Sequence, residues 1–288
     1  MFIVILLLLL LLLLKLVLSV ISFTHRSRLK FYDSVQNVEN LLLSLSPSSS
    51  YNLNPFSVSL KTNYIPQIIH QTYSDIKKVP LKVYENIKKF APLHQHVLYD
   101  DAAALKFLTR NFNSQVSKAF ESLVLGAHKA DLFRYAVLYI CGGIYLDIKT
   151  ELIEDVSKTF PSDTTNITTV LSQKYKEIYQ GVIAAPPRQS IFLYLIDAIV
   201  KSGPTPFYNR FCLDFYKYIS LDLNLKNEEQ LKTGDFTGAR HSYTLYKEVC
   251  SLNNRECPDG LDRYGFCCNI TDLEKNRRIK TRYADYPW

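Results

Sequence analysis

The stretch from Ala127 to Glu151, AHKADLFRYAVLYICGGIYLDIKTE, constrains the fold more than any other part of the chain. Lys129 to Cys141 holds no Pro or Gly and carries a nearly continuous apolar run from Leu132 to Ile140, which predicts an apolar helix. Gly142-Gly143 supplies a helix stop and a turn. Ile144-Tyr145-Leu146 then reads as a short buried strand that ends on Asp147. A carboxylate at the carboxyl end of a strand matters because open α/β sheets bind ligands beyond that end. Asp131 and Arg134 stand three apart and so share one face of the helix. In an apolar helix such a pair is either a buried ion pair or a pair aimed into a cleft.

Upstream, Ile65-Pro-Gln-Ile-Ile-His-Gln-Thr predicts a strand around Ile68-Ile69, Pro80 to Phe90 a helix, and His94 to Asp100 a second strand. Asp101 is read as the cap of a helix running to about Arg110. Strand and helix alternate up to Asp147, which predicts parallel pairing with right-handed crossovers. Downstream, Thr164 to Ser172 and Ile178 to Ala185 read as strands, Pro186-Pro187 as a turn, and Ser190 to Lys201 and Asn209 to Leu221 as amphipathic helices.

The pattern A-x-x-x-D-x-x-R followed by G-G-I-Y-x-D, at residues 127–147, resembles the donor-site signature of glycosyltransferase family 32. That resemblance implies an α/β, GT-A-like fold with a mostly parallel, Rossmann-like sheet flanked by helices. It implies transfer of a hexose, with retention of configuration, from a UDP- or GDP-linked sugar to a glycan or glycolipid. It makes Asp147, Asp131 and Arg134 the catalytic set, with Asp131 on donor-sugar hydroxyls or ribose and Arg134 on the sugar or a phosphate. Gly142 and Gly143 let backbone approach the sugar, and Tyr145 and Lys149 line the donor. The opening Ile65-Pro-Gln-Ile-Ile-His-Gln-Thr is similar to the family's first strand, which brings Ile69, His70 and Gln71 to the nucleotide base. Thr233 and Gly234, within Leu231-Lys-Thr-Gly-Asp-Phe-Thr-Gly, resemble a family loop near the donor sugar, although Asp235 stands where Pro is usual; a plain glycine turn is the other reading. His241, close by, is read as a surface histidine, with approach to a phosphate as the other reading. The closing Tyr283-Ala-Asp-Tyr-Pro-Trp is similar to the family's terminal run, which assigns Asp285 and Trp288 to the diphosphate.

The resemblance also implies Mn²⁺, with Asp147 as its ligand. One position departs from the family: Lys149 replaces the second Asp, and a protonated ammonium offers donors only. Either Asp147 holds one ion with diphosphate oxygens completing its shell, or Lys149 supplies the positive charge itself. The departure leaves a non-catalytic nucleotide-sugar-binding protein of the same fold as an alternative. An unrelated disulfide-stabilised surface protein is the other.

Met1 to Phe23 is almost wholly apolar, interrupted by Lys15, and about as long as the 20 residues a bilayer-spanning helix needs. It predicts a signal-anchor or a cleaved signal peptide, followed by a stem over 24–63 with a helical piece near Ser34 to Leu45, and a globular domain over 64–288. The cations that follow, His25, Arg26, Arg28 and Lys30, oppose a lumenal domain by the positive-inside rule. Two sequons at Asn166 and Asn269 favour one. So do Cys250, Cys257, Cys267 and Cys268, whose crowding over 250–268 predicts a two-disulfide knot in an oxidising compartment. The resulting expectation is a single-pass membrane protein with a lumenal Golgi or ER domain, or a secreted one after cleavage. A zinc site is the alternative for these four cysteines, and Cys141 and Cys212 read as buried thiols. The net charge is +7, and Lys275, Arg277, Arg278, Lys280 and Arg282 cluster near the C-terminus. They form a solvated basic face or meet a membrane or a diphosphate. No nucleic-acid module accompanies them, which excludes nucleic acid as the expected partner.

Overall fold

The computed structural model describes residues 64–174, 176–226, 230–252 and 265–286. The anchor, the stem, Cys257 and Trp288 lie outside the described residues.

The first half alternates as expected. Strand β1 (Ile68–Thr72) leads through a 3₁₀ turn to helix α1 (Leu81–Phe90), strand β2 (Gln95–Tyr99), helices α2 (Asp101–Asn111), α3 (Ser114–Ser122) and α4 (Gly126–Cys141), and strand β3 (Gly143–Leu146). Strand β1 pairs in parallel with both β2 and β3. The cap of α2 is Asp100 rather than Asp101: its carboxylate accepts the Ala103 N–H at 2.7 Å, while Asp101 pairs with Lys129 from the helix's first turn. Helix α3, unforeseen in the sequence, is capped by Asn113. Helix α4 is buried from Asp131 through Ile140 without a break, as a helix apolar all round must be.

Beyond β3 the expectation of a mostly parallel sheet fails. Strands β4 (Glu151–Leu152), β5 (Ile167–Leu171), β6 (Ile178–Ala185), β7 (Gly234–Thr237), β8 (Ser242–Ser251), β9 (Cys267–Thr271) and β10 (Arg277–Lys280) join the same sheet. Its order is β2-β1-β3-β6-β5-β8-β9-β10-β4, with β7 also on β8. Only β5–β8 adds a parallel pair; β3–β6, β5–β6, β7–β8, β8–β9, β9–β10 and β4–β10 are antiparallel. Short connections such as residues 172–177 cannot make a crossover, so neighbouring strands fold back as hairpins. A short helix, α5 (Val156–Thr159), precedes β5, and parallel β5–β8 pairing is allowed because the long connection between these two strands carries β6, α6 (Ser190–Ser202) and α7 (Arg210–Asp222). The Gly-rich stretch read as a turn is β7, held to β8 from Gly234 to Thr237.

One face of the sheet buries Ile69, Ile144, Leu146, Val182, Ala184, Ile270 and Ile279 against Ile87 of α1 and Val156 of α5. The opposite face receives α4: Phe133 packs on Tyr99 at 4.7 Å between ring centres, and Arg134 lies over the Tyr145 ring. Helix α4 in turn packs on α6, and α6 on α7.

A disulfide joins Cys250 to Cys268 across directly opposed positions of β8 and β9, and Cys267 is disulfide-bonded as well. Cys141 and Cys212 are free thiols, half-buried rather than fully enclosed. Among the described residues one trio of His, Cys, Asp or Glu side chains is close enough to share an ion, namely Glu248, Cys250 and Cys268; two of its members are bonded to each other, which removes the zinc alternative there. The two sequons lie on the sheet's frame. Asn269 is buried within β9, and the Asn166 amide donates to Thr244 at 3.1 Å. The basic cluster is laced with acids: Arg278 pairs with Glu154 and Asp272, and Lys280 with Glu151. It is not a bare cationic face. His241 is buried, with Ser190 Oγ 3.1 Å from Nε2 and an Asp222 oxygen 3.5 Å from Nδ1.

Candidate functional site

Asp147 stands where β3 ends and where the sheet changes from parallel to antiparallel pairing. Its N–H donates to the Gly181 carbonyl at 2.8 Å, and its carbonyl accepts from Thr150 N–H and from the Gln71 amide. The chain therefore turns over residues 147–150 instead of continuing as a strand. Even so, Lys149 Nζ comes back to 3.4 Å from Asp147 Oδ2. The other oxygen, Oδ1, accepts from Arg134 at 3.1 Å, and the same guanidinium nitrogen is 3.4 Å from Asp131. Two carboxylates and two cations from α4 and the β3 turn thus form one cluster, as the spacing of the motif implied.

The cluster is not symmetrical. Arg134 is almost fully enclosed. It also donates to the Ala130 and Gln180 carbonyls, so its donors are used inside the protein. These contacts hold Asp131 and Asp147 in place and leave the guanidinium little surface with which to meet a phosphate. Lys149 and Asp147 keep about one fifth of their side-chain surface exposed (21% and 19%), against 5% for Arg134. They form the accessible edge of the cluster.

Burial works against ionisation of Asp147, but Arg134 and Lys149 together outweigh it and hold its carboxyl below the usual range. Asp131 is the reverse. Burial pushes its carboxyl up to about 6, Arg134 offsets part of that, and the neighbouring Asp147 charge adds to it. A carboxyl raised on folding stabilises the fold below its unfolded pKa and loses that contribution as pH rises through the folded value. The stability of the native chain relative to an Asp131→Asn variant is therefore expected to fall between about pH 4 and pH 6 and then level off, read from urea unfolding of both at fixed salt. A flat difference across that window would show that Asp131 titrates normally. The comparison with a variant matters because burial lowers His70 to about 4, so His70 acts with the opposite sign in the same window.

The β1 residues assigned to the nucleotide base are frame residues. Ile69, His70 and Gln71 are all fully buried. His70 Nε2 is bonded to the Gly142 carbonyl at 3.0 Å, and Gln71 bridges the Asp147 carbonyl to His96. Gly142 and Gly143 have positive φ (64° and 96°), and a Cβ on either would strike protein backbone, at Pro187 and Ile68. They permit close approach to the frame rather than to a sugar. Tyr145 is enclosed, its ring under Arg134 and its hydroxyl beside Asp147. Thr233 and Gly234 lie at β7, four strands from β3, or roughly 19 Å at ordinary strand spacing. They do not join the cluster.

The C-terminal segment does. Tyr283 N–H donates to the Lys149 carbonyl at 2.9 Å, and Asp285 pairs with Lys82 on α1. Tyr283 and Ile148 share an apolar wall with Val79 and Val83, flanked by Tyr73 and Tyr286. Tyr286 lies within electrostatic reach of Lys149, Tyr73, Asp147 and Tyr208, and Tyr208 of Asp147, Asp131 and Arg134. Tyr208 is 61% exposed and its carbonyl is bonded to His128 of α4. Sequence reasoning missed Tyr73, Tyr208 and Tyr286. It also missed Gly181, where a Cβ would stand 2.8 Å from Asp147 Oδ2.

Asp147 does not fit as the seat of a divalent cation. It is one carboxylate with a cation already on each oxygen, and such an ion takes several oxygen ligands.

Residues 77–169 match the family described as glycosyltransferase sugar-binding region containing DXD motif, a span that includes Asp131, Arg134, Asp147 and Lys149. An uncharacterized glycosyltransferase of Acanthamoeba polyphaga mimivirus is 29% identical over 135 residues, covering 46% of this chain and 54% of that protein. The initiation-specific alpha-1,6-mannosyltransferase of Schizosaccharomyces pombe is 28% identical over 142 residues, 48% of this chain and 34% of that one. The mannosyl phosphorylinositol ceramide synthase of Saccharomyces cerevisiae is 32% identical over 100 residues, 34% of this chain and 25% of that one. The chain thus spans between a quarter and about half the length of these relatives. The matched region, about a third of the chain, contains the acid–guanidinium–acid cluster and resembles the sugar-binding region of that glycosyltransferase family.

Proposed function

We propose that the chain transfers a hexose, with retention, from a nucleoside-diphosphate sugar to a hydroxyl of a glycan or glycolipid, on a GT-A-like frame. The observation that carries this reading is the position of the Asp131–Arg134–Asp147 cluster at the carboxyl end of β3, with Lys149 and Asp147 as its accessible edge. The names of two relatives favour mannose as the sugar, and one of them favours an inositol-phosphoceramide acceptor. Asp147 and Lys149 face the donor, and the aromatic side chains of Tyr73, Tyr208 and Tyr286 offer platforms for sugar or base. Charge neutralisation of the departing diphosphate is the largest catalytic demand. A leaving phosphate oxygen accepts the acceptor's proton, so no separate nucleophile is required. The family's divalent cation finds too few protein ligands at Asp147. The disulfide between Cys250 and Cys268 supports an oxidising compartment, consistent with a membrane-tethered lumenal domain.

The test is thermal unfolding of the purified full-length chain with GDP, UDP, GDP-mannose and UDP-hexoses. A nucleotide at about 100 times its Kd adds about 2.7 kcal/mol, or roughly 5–10 °C for a domain of this size. The same donor should be consumed. Asp147→Ala is expected to lower that consumption at least tenfold while still melting cooperatively. No shift with any nucleotide and no donor consumption would end this reading.

A further inference from the structure

Resting on that reading of the site, the geometry points to Lys149 as the cation that takes up the charge of the leaving diphosphate, so that transfer runs without a divalent metal. Three observations carry this. The carboxylate that would anchor an ion has Oδ1 on Arg134 at 3.1 Å and Oδ2 on Lys149 at 3.4 Å, so an incoming ion would stand against two positive charges, one of them a buried guanidinium. Arg134 has its donors engaged with Ala130, Gln180 and Asp147, and is closed off from solvent. Lys149 is the cation of the cluster that still meets solvent, with its ammonium 5.7 Å from the Tyr179 ring centre.

The backbone supports the role. Residues 147–150 form a tight turn, closed by Thr150 N–H on the Asp147 carbonyl, and Tyr283 N–H grips the Lys149 carbonyl from the C-terminal segment. The ammonium is therefore held at the rim by its own carboxylate and by a fixed backbone, as a preorganised charge should be. When a diphosphate enters, Lys149 can keep one donor on Asp147 and turn the others to phosphate oxygens, since an ammonium carries three. In the transfer step the bond from the anomeric carbon to the phosphate oxygen breaks and a bond from that carbon to the acceptor oxygen forms. The acceptor's proton passes to the departing phosphate. Lys149 stays protonated throughout, donating hydrogen bonds to the charge that develops.

The experiment compares donor consumption and sugar transfer by the full-length chain in EDTA and in Mn²⁺, for the native protein and for Lys149→Ala, Lys149→Arg and Lys149→Asp. The native protein is expected to differ by no more than about twofold between the two conditions. Lys149→Ala should lower kcat by roughly 10²–10³, the cost of losing one preorganised donor to a developing charge. Lys149→Arg, which keeps the charge, should recover at least tenfold of that loss. Lys149→Asp places a second carboxylate two residues after Asp147, and its remaining activity should vanish in EDTA and return with Mn²⁺. Native activity abolished by EDTA and restored by Mn²⁺ would overturn the role of Lys149 while leaving the glycosyltransferase reading intact. So would Lys149→Ala with unchanged kcat. Absence of both nucleotide binding and transfer in every condition would remove both readings together.

Discussion

Arg134→Met is expected to lower the free energy of unfolding by about 3–5 kcal/mol, the usual cost of removing one partner from a buried ion pair. It is also expected to abolish transfer. The residue is 4% exposed, and its side chain holds three elements at once: its own helix through Ala130, β6 through the Gln180 carbonyl, and β3 through Asp147. Without it, buried Asp131 and part-exposed Asp147 remain near each other with Lys149 as the one cation left in the cluster. Asp131, already raised by burial, would take up a proton, whereas Asp147 would lose its orientation. Methionine fills most of the volume, so cavity formation contributes little and the loss isolates the charge. Arg134→Lys is expected to recover part of the stability and little of the activity, because an ammonium cannot reproduce a planar fork. Urea unfolding of the three proteins at pH 7 reads the first effect, and donor consumption the second. A loss below about 1 kcal/mol for Arg134→Met would mean that the guanidinium is solvated and the cluster looser than described.

That result would also separate two meanings of the same motif. Read along the chain, A-x-x-x-D-x-x-R and G-G-I-Y-x-D announce a ligand site, and the structure does gather Asp131, Arg134, Asp147 and Lys149. Yet sequence spacing does not say which member is buried. Burial depends on what covers α4 from β6, α6 and α7, and it assigns Arg134 to the frame and Lys149 to the edge. The same limit applies to Ile69, His70 and Gln71. They lie in a strand whose two neighbours are Gln95–Tyr99 and Gly143–Leu146, and only the second is close in register to the motif. Local signals were enough for α4, the glycine stop and β3, where an apolar run, two glycines and a β-prone triplet agree. They were not enough for β8 to β10. There, strands such as Ser242–Ser251 carry Lys247 and Glu248 among their apolar residues and owe their pairing to distant partners. Tyr73, Tyr208 and Tyr286 come from three remote places in the chain, so no window of sequence could bring them together. Asn113 was a legible cap for α3, and the helix it starts went unread.

Gly143→Ala is expected to destabilise the fold by about 2–6 kcal/mol, combining roughly 1–3 for overpacking with roughly 1–3 for a strained backbone. Gly143 has φ +96°, and a Cβ there would meet the Ile68 carbonyl oxygen at 2.6 Å and His70 Nε2 at 3.3 Å. The first of these contacts is backbone in the neighbouring strand, which cannot rotate out of the way. Relief requires β3 to move from β1, and the Ile69–Ile144 pairing lies one residue further on. Because Asp147 follows at the end of this four-residue strand, any displacement passes directly to the carboxylate, so activity should fall further than stability alone explains. Two other glycines serve as internal standards. Gly203 has φ +62° with open space around it, so Gly203→Ala should cost only the backbone term, about 1–3 kcal/mol. Gly126 opens α4 in open space with no positive φ, so Gly126→Ala should be neutral or stabilising by up to about 1 kcal/mol. Thermal and urea unfolding of the three variants should therefore rank Gly143→Ala well below Gly203→Ala, and Gly126→Ala at or above the native chain. If Gly143→Ala melted with Gly203→Ala, the close approach of β3 to β1 would be wrong, and with it the placement of Asp147 at the rim.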